Sequence, residues 1–302
     1  MAPVTTANPV GAPARRWPDF FIVGAAKAGT TSLFDSLAQH PDIFTPRVKE
    51  PHHFSTLAPP PERRAFFPSI RDEREYLALF AAARPDQVSG EASTSYLWDP
   101  QAAARIHSVA PRARIIAMLR DPVERAWSHY LNDVREGFET RSFDEAIEED
   151  AADPEGRWGD ASLYVQLGFY THQLRRYLET FSDTLVLFFE EFVRDVPGHL
   201  DRTCDFLGVT RFDDAAAAVR TSNEYARPRN RLARATLGHG GVRVLARSVA
   251  PQRVRTLVRR QLQTTGAKPP IPGDARTRLE SLYAGEAEAL RDLLGREVPW
   301  DR

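Results

Sequence analysis

Two short stretches near the N-terminus carry the residue types of an anion-handling, acid–base site. In the first, residues 24–32 (GAAKAGTTS), Gly24 and Gly29 enclose Lys27 and Ala28 and are followed by Thr30, Thr31 and Ser32. Glycines let the backbone approach an anion closely, the lysine supplies a full charge, and the hydroxyls add donors. A Walker A loop carries its lysine directly after the second glycine. Here Thr30 holds that place and the lysine lies inside the loop, which predicts a phosphate-binding loop not built for Mg-ATP. In the second stretch, residues 49–54 (KEPHHF), Glu50 offers a carboxylate base and Pro51 stiffens the chain around it. His52 has an imidazole of near-neutral intrinsic pKa, and Lys49 and His53 add a second ammonium and a second imidazole beside it. The plain alternatives are a tight turn with no ligand and a solvated Lys49–Glu50 pair.

Lysine usage sharpens this reading. Of 40 Lys plus Arg, only Lys27, Lys49 and Lys268 are lysine, and two of these fall in the two stretches. An ammonium differs from a guanidinium in reach and hydration, so the choice points to a specific need for it there.

The elements around these residues are readable. An apolar run at 20–23 between Pro18 and Gly24 predicts a buried first strand. Leu33, Phe34, Leu37 and Ala38 then share one helical face, so the anion loop sits at a helix N-terminus, where free N–H groups and the dipole converge. Further on, the apolar run 115–119 predicts a strand buried on both faces. Asp121 and Pro122 form a helix start, and Val123, Ala126, Trp127, Tyr130 and Val134 its apolar face. Arg120 stands at the strand's C-terminal end and Ser128 two turns into the helix. In an open α/β sheet that edge is where ligands bind. Strands are also expected at 42–44, 88–93 and 185–189, with helices at 74–83, 143–149, 167–181, 197–207 and 213–220 and one long helix at 274–294. Leu279, Leu282, Tyr283, Ala287, Leu290 and Leu294 are expected to face inward from that last helix. Alternating strands and helices argue for a parallel sheet with helices on both faces.

Composition sets bounds. The 302 residues, 42% hydrophobic and 27% charged, suit one large α/β domain. A net charge of −1 gives no sign of nucleic-acid affinity, and no apolar run is long enough to span a membrane. One cysteine, Cys204, and an N-terminus without an apolar signal core fit a cytoplasmic protein. Residues 1–18 read as a disordered tail and 19–302 as one domain. No third ligand at metal spacing accompanies His52 and His53, so no metal site is expected.

Residues 24–32 with 49–54 resemble the sulfotransferase family that uses 3′-phosphoadenosine 5′-phosphosulfate (PAPS), in the branch of heparan sulfate sulfotransferases and their bacterial relatives. The resemblance implies a P-loop-like three-layer fold and transfer of a sulfuryl group to an acceptor hydroxyl or amine. It releases 3′,5′-bisphosphoadenosine and requires no metal. It implies that the loop around Lys27 holds the 5′-phosphosulfate and that Arg120 and Ser128 bind the 3′-phosphate; Glu50 is then the base, His52 orients the acceptor or shares the proton, Lys49 steers the sulfuryl oxygens or the acceptor, and His53 meets the acceptor. A basic loop in the family closes over the nucleotide, which assigns Arg227 and Arg229 as contacts. Glu91 and Tyr96 match a family segment, but the heparan sulfate enzymes often carry a lysine where Ala92 stands, which argues against carrying over a sulfated polysaccharide as acceptor. A carbohydrate or small secondary metabolite fits instead, with the 56–72 loop, the 137–165 segment and the arginine-rich 243–260 region around it. Two other readings stand beside this: a P-loop small-molecule kinase using Mg-ATP, and a non-catalytic nucleotide-binding module. Strand order and oligomeric state are not legible.

Overall fold

The computed structural model describes residues 16–59, 67, 69–152, 163–212, 226–228, 263–265 and 268–300. Five parallel strands form the central sheet: β1 (Phe20–Gly24), β2 (Ile43–Phe44), β3 (Val88–Ala92), β4 (Arg114–Leu119) and β5 (Thr184–Phe188). Their spatial order is β2-β3-β1-β4-β5. The chain therefore builds outward from β1 to one side and then to the other. The reversal lies at β1, whose neighbours are β3 and β4. Loops leaving the C-terminal ends of strands diverge at such a point and open a crevice.

Alternation along the strands divides the core. Phe20, Ile22, Ile116, Met118, Leu185 and Leu187 pack on one face with α1 (Thr30–Leu37), α8 (Phe189–Arg194) and α9 (Val196–Leu207). Phe21, Val23, Ile115, Ala117, Leu119, Val186 and Phe188 pack on the other. The helices there are α2 (Glu73–Ala78), α3 (Ser95–Trp98), α4 (Ala102–Val109), α7 (Tyr170–Thr180) and α11 (Glu286–Leu294). The expected three layers are thus present. Beyond the strand ends, α5 (Pro122–Glu136), α6 (Phe143–Ala152) and α10 (Gly273–Leu282) bury a third cluster around Trp127, Phe143, Tyr164 and Tyr283. A short antiparallel pair, β6 (Ala226–Pro228) and β7 (Gln263–Thr265), stands apart from the main sheet.

Several expectations are corrected. The single helix at 274–294 is two helices, α10 and α11, separated at Gly285, whose φ of 85° is open to glycine but strained for L residues. The break turns Leu282 outward, to 36% exposure. Helices α3, α4 and α8 lack a sequence expectation of their own; α3 and α8 are too short to show a period. Trp17, expected in the tail, packs its ring against His53, Phe54 and Tyr76. The helix expected at 213–220, and the 243–260 segment, lie outside the described residues.

Candidate active site

The anion loop leaves β1 at the reversal point. Its entry is pinned where Ala25 N donates to Met118 O of β4 at 2.6 Å. Gly29 precedes α1 with φ 93°, and a Cβ there would lie 2.7 Å from the ring of Phe189. Any larger residue would both strain the backbone and collide with that ring. Helix α1 has no side-chain cap and no acidic residue in its first turn. The N–H groups that follow Gly29, on Thr30, Thr31 and Ser32, therefore have neither an intrahelical acceptor nor a capping side chain. A negative ligand would satisfy them and the dipole together.

Lys27 holds a left-handed φ of 68° within this loop. Its Nζ donates to Asn132 Oδ1 of α5 at 3.2 Å, and Arg135 Nη2 donates to the same oxygen at 2.6 Å. Burial, reinforced by the positive charge of Arg135, lowers the Lys27 pKa to about 8. Asn132 lies one turn beyond Ser128 on α5, so Ser128 belongs to the stripe of that helix that faces the loop.

Arg120 closes the cradle from β4. Its Nη1 donates to Lys27 O at 3.3 Å, and its guanidinium lies 4.6 Å above the Phe189 ring. One aromatic ring thus supports Arg120 on its face and Gly29 at its edge. The Arg120 Nε is buried without a hydrogen-bond partner, while Tyr170 Oη holds the Arg120 carbonyl at 2.8 Å. Leaving a buried charged donor unmade costs about 1–3 kcal/mol, which a bound anion would recover. Behind it, Asp121 Oδ1 caps α5 by accepting from Val123 N at 2.9 Å and Glu124 N at 3.3 Å, as expected.

The second stretch lies across β3. Glu50 N donates to Ala92 O at 2.9 Å, and Ser93 N donates to Ile22 O at 3.1 Å. Glu50 is thereby bound to the end of the strand that flanks the start of the anion loop. One Glu50 oxygen pairs with Lys49 Nζ. The other accepts from Thr94 N at 2.7 Å and Thr94 Oγ1 at 3.2 Å, and lies 4.0 Å from His52 Nε2. Burial alone would raise the Glu50 carboxyl, but Lys49, His52 and the Thr94 hydrogen bond outweigh it and hold the pKa below its ordinary value. Glu50 is therefore an ionised acceptor at neutral pH.

His52 is buried, with Nδ1 2.8 Å from Ser95 Oγ. Glu50 and His52 have φ of 59° and 51°, and with Lys27 they are the only non-glycine residues of positive φ among the described ones. Such conformations cost of order 1–3 kcal/mol each and persist where surrounding structure over-determines them, commonly at functional sites. All three carry candidate catalytic groups. This coincidence is independent of the motif spacing that first singled them out.

Of the other sequence-assigned residues, one falls elsewhere. His53, expected at the acceptor, turns into the core: its ring stacks on Tyr76 at 4.1 Å and its Nδ1 lies 2.8 Å from Ile70 O. Lys49, expected to steer the sulfuryl oxygens or the acceptor, stays at the site, paired with Glu50. Arg227 falls in β6, and Arg229 lies outside the described residues. Conversely, Thr94, Ser95, Asn132 and Phe189 serve the site without having been singled out. The run of serines and threonines after Glu91 (ASTS) was the available signal for the first two.

A profile of the sulfotransferase family matches residues 18–214, well over half of the chain. This chain belongs to the sulfotransferase family. A sulfotransferase from Alicyclobacillus acidocaldarius matches it with a TM-score of 0.72 and 31% identity over 95% of this chain and all of that one. Carbohydrate sulfotransferase 15 of Mus musculus is 27% identical over 265 residues, covering 68% of this chain and 46% of that protein. Heparan sulfate glucosamine 3-O-sulfotransferase 6 of Homo sapiens is 30% identical over 204 residues, covering 65% and 54%. The chain thus spans about half the length of these two relatives. A mouse sulfotransferase solved with PAP shares the fold, with a TM-score of 0.51 at 17% identity over 92% of this chain and 87% of that one. The P-loop-like fold expected of this sulfotransferase follows from these matches and from the parallel sheet.

Proposed function

We propose that the chain transfers a sulfuryl group from PAPS to a hydroxyl of a carbohydrate or small-molecule acceptor. The observation that carries this reading is the grouping of Lys27, Glu50 and His52, all in left-handed backbone conformations, in loops at the crevice between β3, β1 and β4. The cradle fits a nucleotide with phosphates at both ends. Lys27 and the free N–H groups of α1 suit one anionic group, and the unpartnered Nε of Arg120 suits a second, toward which we assign Ser128 of α5. When bound, PAPS would supply an activated sulfuryl group on a phosphate leaving group.

The chain's own residues then have distinct tasks. Glu50 removes the acceptor's proton, being ionised and anchored through one oxygen by Thr94. His52, 4.0 Å from that carboxylate, stabilises the negative form and shares the proton it takes up. Lys27 is placed to neutralise charge developing on the leaving oxygen, and with its pKa at about 8 it is an ammonium at neutral pH that can also release a proton nearby. Sulfuryl transfer, like phosphoryl transfer, depends on positioning and charge stabilisation more than on covalent help. The acceptor class is supported by the two mammalian relatives, whose names specify carbohydrate acceptors.

Calorimetric titration with 3′,5′-bisphosphoadenosine, ADP and ATP, with and without Mg, tests the reading. Tight binding of the bisphosphate independent of Mg, weakened by Arg120→Ala, is expected. Preference for Mg-ATP would overturn it in favour of a small-molecule kinase.

A further inference from the structure

Directly beneath the candidate base lies a buried carboxylate with no part in the chemistry above. Glu91, on β3, is fully buried. Its Oε1 accepts from Tyr76 Oη of α2 at 2.9 Å and Tyr96 Oη of α3 at 2.7 Å, and its Oε2 accepts from Ser93 Oγ at 2.8 Å. Ser93 Oγ in turn accepts from His52 N at 3.1 Å. One hydroxyl thus joins a core carboxylate to the backbone of a left-handed residue whose imidazole faces Glu50.

We propose that Glu91 is a positioning residue of the sulfotransferase reaction: through Ser93 it fixes the His52 backbone, and its protonation state sets how firmly the imidazole is aimed at Glu50. The proposal rests on the assignment of Glu50 and His52 given above. The geometry leaves little choice of mechanism. As a carboxylate, Glu91 accepts the Ser93 hydroxyl proton, which orients that oxygen's lone pairs toward His52 N. As a carboxylic acid it donates to Ser93 Oγ, the serine proton must turn elsewhere, and the polarity of the relay reverses. Hydrogen bonds to a charged acceptor are roughly twice as strong as neutral ones, so the ionised form holds His52 more tightly.

The groups facing Glu91 make this switch accessible near neutral pH. Tyr76, Tyr96 and Ser93 donate to it, and the charge facing it is the like charge of Glu50. Burial raises the Glu91 pKa to about 7 against the lowering effect of those three hydroxyls. For a carboxylate raised in the folded state, the sign is that stability falls as pH rises from the ordinary value toward 7. Retaining the group thus costs stability where the enzyme works. Activity is the quantity that gains.

The test uses the full chain labelled at histidine with ¹³C and ¹⁵N. The His52 imidazole signals are followed from pH 5.5 to 9, and PAP release from PAPS, with water as acceptor, is followed over the same range. In the wild type the His52 signals should report an inflection near pH 7 that follows Glu91. Glu91→Gln, which mimics the protonated form in shape and polarity, should abolish that inflection, lower kcat about 10- to 100-fold and leave the KM for PAPS within about two-fold. It should also flatten the pH–kcat profile between pH 6 and 8. Ser93→Ala cuts the link while leaving Glu91 in place, and should reproduce the kcat loss and remove the inflection. Tyr76→Phe removes a donor outside the link; it should move the inflection to higher pH and spare kcat on the alkaline plateau, where Glu91 is ionised. Unchanged His52 signals in Glu91→Gln, a wild-type pH–kcat profile in that variant, or an equal kcat loss on the alkaline plateau in Tyr76→Phe would each overturn the proposal. If Glu91→Gln does not fold, Ser93→Ala decides alone. Failure of the wild type to bind the bisphosphate would instead overturn the sulfotransferase assignment, and the His52 titration would still be readable.

Discussion

The two halves of the site are built on opposite principles. The cradle formed by the loop after β1, the start of α1 and Arg120 has unused bonding capacity: an uncapped helix start and a buried guanidinium Nε without a partner. The arm at residues 49–54 is saturated: Glu50 is held through both oxygens, His52 through its backbone N and its Nδ1, and His53 through Ile70 and the aromatic cluster. An unsatisfied region gains free energy when a complementary ion arrives. A saturated one gains none, but holds its groups still. The difference separates binding from catalysis: changes in the cradle should alter affinity, and changes in the arm should alter turnover.

The largest expected effect tests the arm. Glu50→Gln should lower kcat by about 10²- to 10⁴-fold, the usual range for a general base, while bisphosphate affinity by calorimetry stays within about two-fold. A parallel loss of affinity would erase the distinction between the two regions. Next comes the cradle. Arg120→Ala removes charge-assisted hydrogen bonds worth about 1.5–3 kcal/mol and should weaken the bisphosphate about 10- to 100-fold. A third prediction uses pH. Burial depresses Lys27, so its charged form persists below pH 8 and is lost as pH rises through that value. Bisphosphate affinity should be at its plateau just below pH 8 and fall above it, with proton uptake on binding measurable in buffers of different ionisation enthalpy. Lys27→Met should remove both the fall and the uptake. The smallest effect is at His53, whose buried ring stacks on Tyr76. His53→Phe should leave kcat within about two-fold and shift stability by about 1 kcal/mol, read from chemical denaturation.

The cradle was legible in sequence because backbone geometry is written in glycines and caps. Gly24 and Gly29 mark backbone that other residues would strain, Asp121 and Pro122 mark a helix start, and the strands around them are continuous apolar runs. The arm was legible only in part. Adjacent residues in an irregular segment have no period to say which points where, so nothing local distinguishes His52, which faces Glu50, from His53, which faces Trp17 and Tyr76. Their fates are set by β3 and α2, supplied some 20 to 45 residues later. Asn132 and Phe189 escaped notice for a similar reason: one looks like a helix-surface amide, the other like the end of a strand. The helix break at Gly285 is not legible because a lone glycine inside an apolar pattern does not by itself end a helix.

The position of β1 has a consequence for how the protein acquires its site. The anion loop precedes all its partners in the chain, and its geometry depends on β3 through Ser93 and Ile22, on β4 through Ala25 and Met118, and on Phe189 beyond β5. Each partner is separated from the loop by a long closure whose entropy must be met before the contact repays it. The cradle that comes early in the chain is therefore completed late. During synthesis the nascent chain should not retain nucleotide until residues beyond Phe189 have left the ribosome, and ligand affinity then becomes a sensor of finished folding.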